Sequence, residues 1–332
     1  MRRRSLVAGI LVVVAVLLAG SWFGWGRDGL TPVKPASTGA NEINELYRLM
    51  GLIAALVLLC VIVPLALILG RYRARGLPRE AEGPQIRGNV PLELTWTAIP
   101  IVIVLALSGI ALWKAVEITE PESATAAKGA ADLTIEVDAR QFYWRYVYSN
   151  GVVAIDTLRV PVDQVVKLEV TAPDSDVVHS FWAPAIGGKI DAIPGVVNEM
   201  KFLATRTGEF PGTCAELCGI QHAAMKLEVH VLTAGDFQRW LEDTAAEQQS
   251  AESTLGETLF TGVCSKCHFA APEYAPNIAG SPLLADGEGM RAILENGRRR
   301  MPAVGKGWTE RETTALLAYL KTISGQGASD GG

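Results

Sequence analysis

Three stretches of uninterrupted apolar sequence constrain this chain before anything else: residues 5–26 (SLVAGILVVVAVLLAGSWFGWG), 49–70 (LMGLIAALVLLCVIVPLALILG) and 95–113 (TWTAIPIVIVLALSGIALW). Each lacks a charged side chain and approaches the roughly 20 residues an α-helix needs to cross a bilayer. No later part of the 332 residues has this character. The chain is therefore expected to be anchored in lipid by its N-terminal part and to fold in water beyond it.

Arginine placement sets the orientation. Arg2, Arg3 and Arg4 open the chain, and Arg71, Arg73, Arg75, Arg79 and Arg87 fill the connector between the second and third runs. Basic residues favour the cytoplasmic side, so everything after about residue 114 is predicted to lie outside. Residues 1–26 combine a basic start, an apolar centre and Ala19-Gly20-Ser21, and they read as a cleaved signal peptide, with a retained helix as the alternative. Both give one topology.

The exported part divides where its periodicity changes. Residues 132–232 hold short alternating runs (LTIEVDA, VVKLEVTA, MKFLATR, MKLEVHVL) separated by turn signals such as Ser149-Asn150-Gly151, which predicts a small antiparallel β sandwich or barrel. Residues 241–254 (LEDTAAEQQSAEST) are small, polar and acidic, and read as a linker or a helical extension. From Leu255 the pattern is helical; in TERETTALLAYLKTI, Thr309 is placed to cap a helix with Glu312 three residues on.

Soft ligands are concentrated in residues 214–225, CAELCGIQHAAM, although the whole chain has five Cys, four His and six Met. In an oxidising compartment Cys214 and Cys218 could form a disulfide, and a structural zinc site is a second alternative. Neither employs Met225 as well as His222, whereas thiolate and thioether sulfur suit copper. One electron-transfer copper takes a single Cys, two His and a weak Met, so two Cys suggest two ions sharing them. His179 in DVVHSFWAP can supply the second imidazole; His230 alternates in phase with Lys226 and Glu228 and reads as a solvent-facing strand residue. Cys60 lies among Leu and Val and behaves as a small apolar residue.

With LELTWTAIPIVIV, QFYW, DVVHSFWAPAIGGKIDAIPG and CAELCGIQHAAM in place, residues 40–232 resemble subunit II of cytochrome c oxidase. The resemblance implies a dinuclear copper centre, CuA, on a cupredoxin-like barrel. Cys214 and Cys218 would bridge the coppers, His179 and His222 would give one nitrogen each, Met225 a weak sulfur and Glu216 its backbone carbonyl. It further implies magnesium bound by the Glu216 side chain at a boundary with subunit I, and Glu93 at the mouth of a proton path. Phe142 stands where the resemblance places, in many unfused subunits, the Trp at which a soluble cytochrome c delivers its electron.

Cys264-Ser265-Lys266-Cys267-His268 is a C-x-x-C-H sequence, the attachment signature of c-type haem, with His268 placed to meet the iron. A methionine as sixth ligand raises the potential. Residues 255–322 resemble small bacterial cytochromes c, whose ligand lies in a Met-Pro loop before the last helix; this points to Met301, leaving Met290 for packing.

The expected whole is a multidomain membrane protein: 1–26 signal or extra helix, 40–118 a transmembrane helical hairpin, 130–235 an all-β cupredoxin-like barrel, 236–254 a linker, and 255–323 an all-α cytochrome c domain. It resembles oxidase subunits with a fused cytochrome c, placed in a bacterial plasma membrane with copper and haem outside. It would receive electrons from cytochrome c or a bc complex and pass them to subunit I, beside subunit III, for oxygen reduction with proton pumping. A nitric oxide reductase-like complex and a membrane-anchored copper carrier are the alternatives. A net charge of −5 gives nucleic-acid binding no electrostatic support.

Overall fold

The computed structural model describes residues 33–71, 85, 87–119, 131–250, 252–269 and 275–326. The run at 5–26 and Arg2, Arg3, Arg4, Arg73, Arg75 and Arg79 lie outside the described residues. The chain forms two compact units, one of which holds Asn41–Glu117 and the other Pro35–Ala40 and Ile118–Gly332.

The first unit holds most of helices α1 (Thr38–Arg71) and α2 (Val90–Thr119), which extend both apolar runs at each end. Both are long and apolar enough to cross a membrane, and Leu, Val and Ile side chains are exposed along both. Such surface is stable only against lipid or other apolar helices. Lys114 pairs with Glu42, joining the start of α1 to the end of α2 as an antiparallel hairpin requires. Asn89 caps α2 by accepting from Leu92 N (3.2 Å), while Glu93 folds back to accept from Asn89 N (3.0 Å).

The second unit contains two five-stranded sheets packed face to face: β3-β2-β1-β5-β8 and β4-β10-β9-β6-β7. The strands are β1 (Leu133–Arg140), β2 (Tyr143–Tyr148), β3 (Val153–Ile155), β4 (Thr157–Pro161), β5 (Val165–Thr171), β6 (His179–Trp182), β7 (Ile190–Ala192), β8 (Asn198–Leu203), β9 (Gly208–Cys214) and β10 (Lys226–Leu232). Their alternation works as expected: in β5 and β10 every second residue is buried, filling the core with Val166, Leu168, Val170, Leu227, Val229 and Val231. His230 lies on the outer phase of β10, bonded to Glu228 Oε2 at 2.9 Å. The expected β sandwich is present, and its expected antiparallel pairing is corrected at two places, where β1 pairs β5 and β4 pairs β10 in parallel. Alternation reports which face of a strand is buried and carries no information about the direction of a neighbour remote in sequence.

Of the linker or helical extension expected at 241–254, the described residues take the helical form. They belong to helices α3 (Ala234–Ser250) and α4 (Glu252–Leu259). The small polar residues conceal an amphipathic stripe: Phe237, Trp240, Leu241 and Ala245 pack on the barrel core at helical spacing. Gln248, 4% exposed, donates to Val153 O (2.8 Å) and accepts from Val153 N (3.1 Å).

The C-terminal region is helical: a π-turn (Phe260–Cys264), α5 (Ser265–His268), α6 (Gly287–Asn296) and α7 (Glu310–Gln326). Gly256 lets α4 cross α7 closely, since a Cβ there would lie 2.2 Å from Ala315 O. Thr309 caps α7 as expected: its N and Oγ1 both donate to Glu312 Oε2 at 2.8 Å. Tyr143 and Val153 of the barrel belong to the same buried cluster as Leu255, Leu259, Trp308 and Leu316, so helices and barrel share a core.

Candidate metal centre

Three strands bring the soft residues together. β9 ends at Cys214 and β10 starts at Lys226, and their antiparallel pairing (Thr213 opposite Lys226, Cys214 N donating to Met225 O at 3.0 Å) pins both ends of loop 215–225. β6 pairs β9 on its other edge, with Phe181 opposite Cys214, and this delivers His179 from a segment 35 residues earlier. A short 3₁₀ turn (His222–Ala224) then directs His222 and Met225 back inward.

The resulting donors are closely spaced. Cys214 Sγ and Cys218 Sγ are 3.8 Å apart, His179 Nδ1 lies 3.9 Å from Cys214 Sγ, His222 Nδ1 3.7 Å from Cys218 Sγ, and Met225 Sδ 3.8 Å from Cys218 Sγ. Glu216 turns its backbone carbonyl to within 3.2 Å of Cys214 Sγ and leaves its side chain exposed. Both cysteines are free thiols, far beyond the roughly 2.05 Å of a disulfide bond. Met225 is fully buried against them, a thioether that zinc would not use. The donor set therefore fits copper.

Electrostatics prepare the thiols. The Cys218 sulfur beside it, with His179 and the Ser180 and Glu216 backbone, outweighs burial and lowers the Cys214 thiol pKa from its ordinary value. The same neighbouring thiolate, with burial, pushes Cys218 up. Copper takes the thiolate form, so an arriving cation would displace the protons these sulfurs carry. Asp176 Oδ1 lies 3.4 Å from His179 Nε2, turning Nδ1 toward the sulfurs; for His179 burial lowers the pKa, but Asp176 and Cys214 outweigh it and the net shift is upward. Gln141 Nε2 donates to Cys218 O at 2.7 Å. Sequence reasoning missed both Asp176 and Gln141. Asp176 was detectable in principle, three residues before His179; Gln141 was not, because 77 residues separate it from Cys218.

The haem-attachment motif lies on the turn from the π segment into α5. Cys264 is buried, which pushes its thiol up to about 12, and Cys267 and His268 are half-buried. His268 Nδ1 donates to Pro276 O at 2.7 Å, leaving Nε2 as the nitrogen that can face iron. Met301, half-buried, pairs with Arg298 in a one-bridge turn before Pro302, while Met290 is buried in α6. Two attachment thiols and an oriented imidazole on one turn fit a covalent haem.

Soft donors on a cupredoxin-like sandwich, lipid-compatible helices and a haem-attachment domain define a membrane-anchored electron-transfer protein. Comparison makes this specific. Residues 29–113 match the transmembrane domain of cytochrome c oxidase subunit II, residues 152–232 its periplasmic domain, and residues 251–320 subunit III of the cbb3-type oxidase. Cytochrome c oxidase subunit 2 of Alkalihalophilus pseudofirmus is 32% identical, covering 90% of this chain and 92% of its own. That of Bacillus subtilis is also 32% identical, covering 96% and 97%. A crystal structure of the periplasmic domain of subunit II of cytochrome oxidase from Bradyrhizobium japonicum shares 38% identity over 36% of this chain and 96% of that one, with a TM-score of 0.34. The chain belongs to the cytochrome c oxidase subunit II family and carries a cytochrome c domain. It is part of an oxidoreductase complex containing subunit I, and membership implies CuA copper and haem on an outward-facing domain.

Proposed function

We propose that this chain is the subunit at which electrons enter a proton-pumping terminal oxidase, arriving at haem c and leaving through CuA toward subunit I, where O2 is reduced to water. The observation that carries this reading is the convergence of His179, Cys214, Cys218, His222, Met225 and the Glu216 carbonyl in the same compact unit as Cys264, Cys267 and His268. When bound, the copper pair and the haem would each accept and release one electron.

The protein's own part is to hold geometry. Cys214 and Cys218 would bridge two coppers, His179 and His222 would complete one each, and Asp176 fixes the His179 tautomer. Ligands fixed by paired strands on both sides cannot relax when the charge changes, which keeps reorganisation small. Cys264 and Cys267 would hold haem, with His268 and Met301 as axial ligands. The exposed carboxylate of Glu216 is suited to magnesium at the boundary with subunit I. Val177, Val178, Val196, Val197, Leu217 and Ile220 are exposed, an apolar surface of the kind that partner subunits cover. Glu93, at the start of α2, is our candidate for proton entrance toward subunit I. The placement is a multi-pass bacterial plasma membrane protein, with subunit III as neighbour and cytochrome c or a bc complex as donor.

Cys218→Ser in the assembled oxidase should abolish electron delivery to subunit I while haem c remains reducible by ascorbate. Normal cytochrome oxidation by that variant would overturn the assignment.

A further inference from the structure

The joint between the copper loop and the haem motif is built from specific contacts. Lys266, inside the CSKCH turn, forms an ion pair with Asp156 and donates from Nζ to Phe142 O at 3.2 Å. The preceding residue, Gln141, donates to Cys218 O on the copper loop. Gly219, at φ +132, lets this pair lie flat on the loop: a Cβ there would come within 2.9 Å of Gln141 Nε2 and 3.2 Å of the Phe142 ring. Phe142 is thus enclosed between the copper loop and the haem turn, on the face where the resemblance placed the docking of a soluble cytochrome.

One group at this joint is unsatisfied. Gln221, immediately before His222, is 6% exposed, and its Nε2 meets no hydrogen-bond acceptor among the described residues. Its amide lies beside the Cys267 sulfur, a weak acceptor that does not satisfy it. A buried orphan amide costs about 1–3 kcal/mol and calls for a partner. A haem linked through Cys267 would bring its edge to this place.

We propose that Gln221 is the positioning residue between the two redox sites: its side-chain amide seats the edge of the haem held by Cys267 against the loop that carries His222. This rests on the function proposed above and names the path within it. In the step concerned, one electron would pass from the reduced haem held by Cys264, Cys267 and His268 to the oxidised copper pair, the first losing and the second gaining that electron; no bond breaks and no proton moves. A direct through-bond route runs from Gln221 into His222, and the Gln141–Phe142 segment gives a parallel one into Cys218.

The test uses the purified complex with both groups loaded. Gln221→Leu should slow haem-to-copper transfer, followed optically after flash reduction of the haem, by about tenfold or more. It should also lower the haem midpoint, because a donor dipole aimed at the haem is lost, and it should leave the copper electron paramagnetic spectrum unchanged. An unchanged rate with an unmoved midpoint overturns the proposal. If Gln221→Leu disturbs copper loading, Gln221→Glu in alkaline buffer decides through the haem alone: a lowered midpoint supports the seat, and an unmoved one overturns it. Absence of haem-to-copper transfer in the parent protein would instead overturn the proposed function.

Discussion

Arg145 on β2 of the barrel forks onto both carboxylate oxygens of Glu312 in the last helix, Nε to Oε1 at 2.7 Å and Nη2 to Oε2 at 2.9 Å, across 167 residues of chain. Both residues are buried. Tyr143 OH, bonded to Val304 O at 2.5 Å and to Trp308 Nε1 at 3.0 Å, reinforces the same seam. The cytochrome c region is therefore docked on the barrel through buried contacts.

Removing Glu312 leaves the buried Arg145 with the more distant Asp138 carboxylate, 3.5 Å away, as its counter-ion. Glu312→Ala is expected to lower stability by about 3–5 kcal/mol, read by thermal unfolding, and to open the seam to limited proteolysis. Combining it with Arg145→Met should recover part of the loss, and a double mutant no better than the single would show the pair is not coupled.

The same pair gives a pH dependence. Burial raises the Glu312 pKa, but Arg145 and Thr309 overcome it and hold the carboxyl below its ordinary 4.5. A depressed carboxylate stabilises the fold above its unfolded value, and that contribution is lost as pH falls through the folded value. Docking, followed by tryptophan fluorescence, should therefore hold at neutral pH and weaken below 4.5; Glu312→Gln should flatten this dependence.

Gly262 reports on the seam from the other side. A Cβ at this position would lie 2.5 Å from Ile155 of the barrel. Gly262→Val should cost about 1–3 kcal/mol of stability and slow haem-to-copper transfer without changing the haem absorption spectrum.

Asp176 should matter to copper without binding it. Asp176→Ala is expected to weaken copper retention on the order of 10–100-fold, measured by competition with a chelator, while the haem content stays constant.

The two methionines should separate function from packing. Met301→Ala should lower the haem midpoint, whereas Met290→Ala, which empties a buried site, should cost about 2–5 kcal/mol of stability and leave the midpoint in place. Equal effects on the potential would remove Met301 as the axial ligand.

What the sequence determined alone was chemistry written in contiguous residues. Apolar runs long enough to span lipid, the CSKCH motif, the donors of loop 214–225 and the Thr309–Glu312 cap are all short-range patterns, so their spacing carried their meaning. Tertiary structure decided whatever depends on partners remote in the chain. The parallel pairing of β1 with β5, Gln141 reaching Cys218, Asp176 set behind His179, and the second role of Glu312 as the buried counter-ion of Arg145 were invisible to periodicity. The choice between linker and helical extension at 241–254 shows why: a polar face dominates the composition, and packing of Phe237, Trp240 and Leu241 on the barrel selects the helix. Local patterns fix which groups are available and which face they occupy; the enthalpy of bringing two buried charges or a strand and its distant neighbour together exists only once the chain has closed the loop between them.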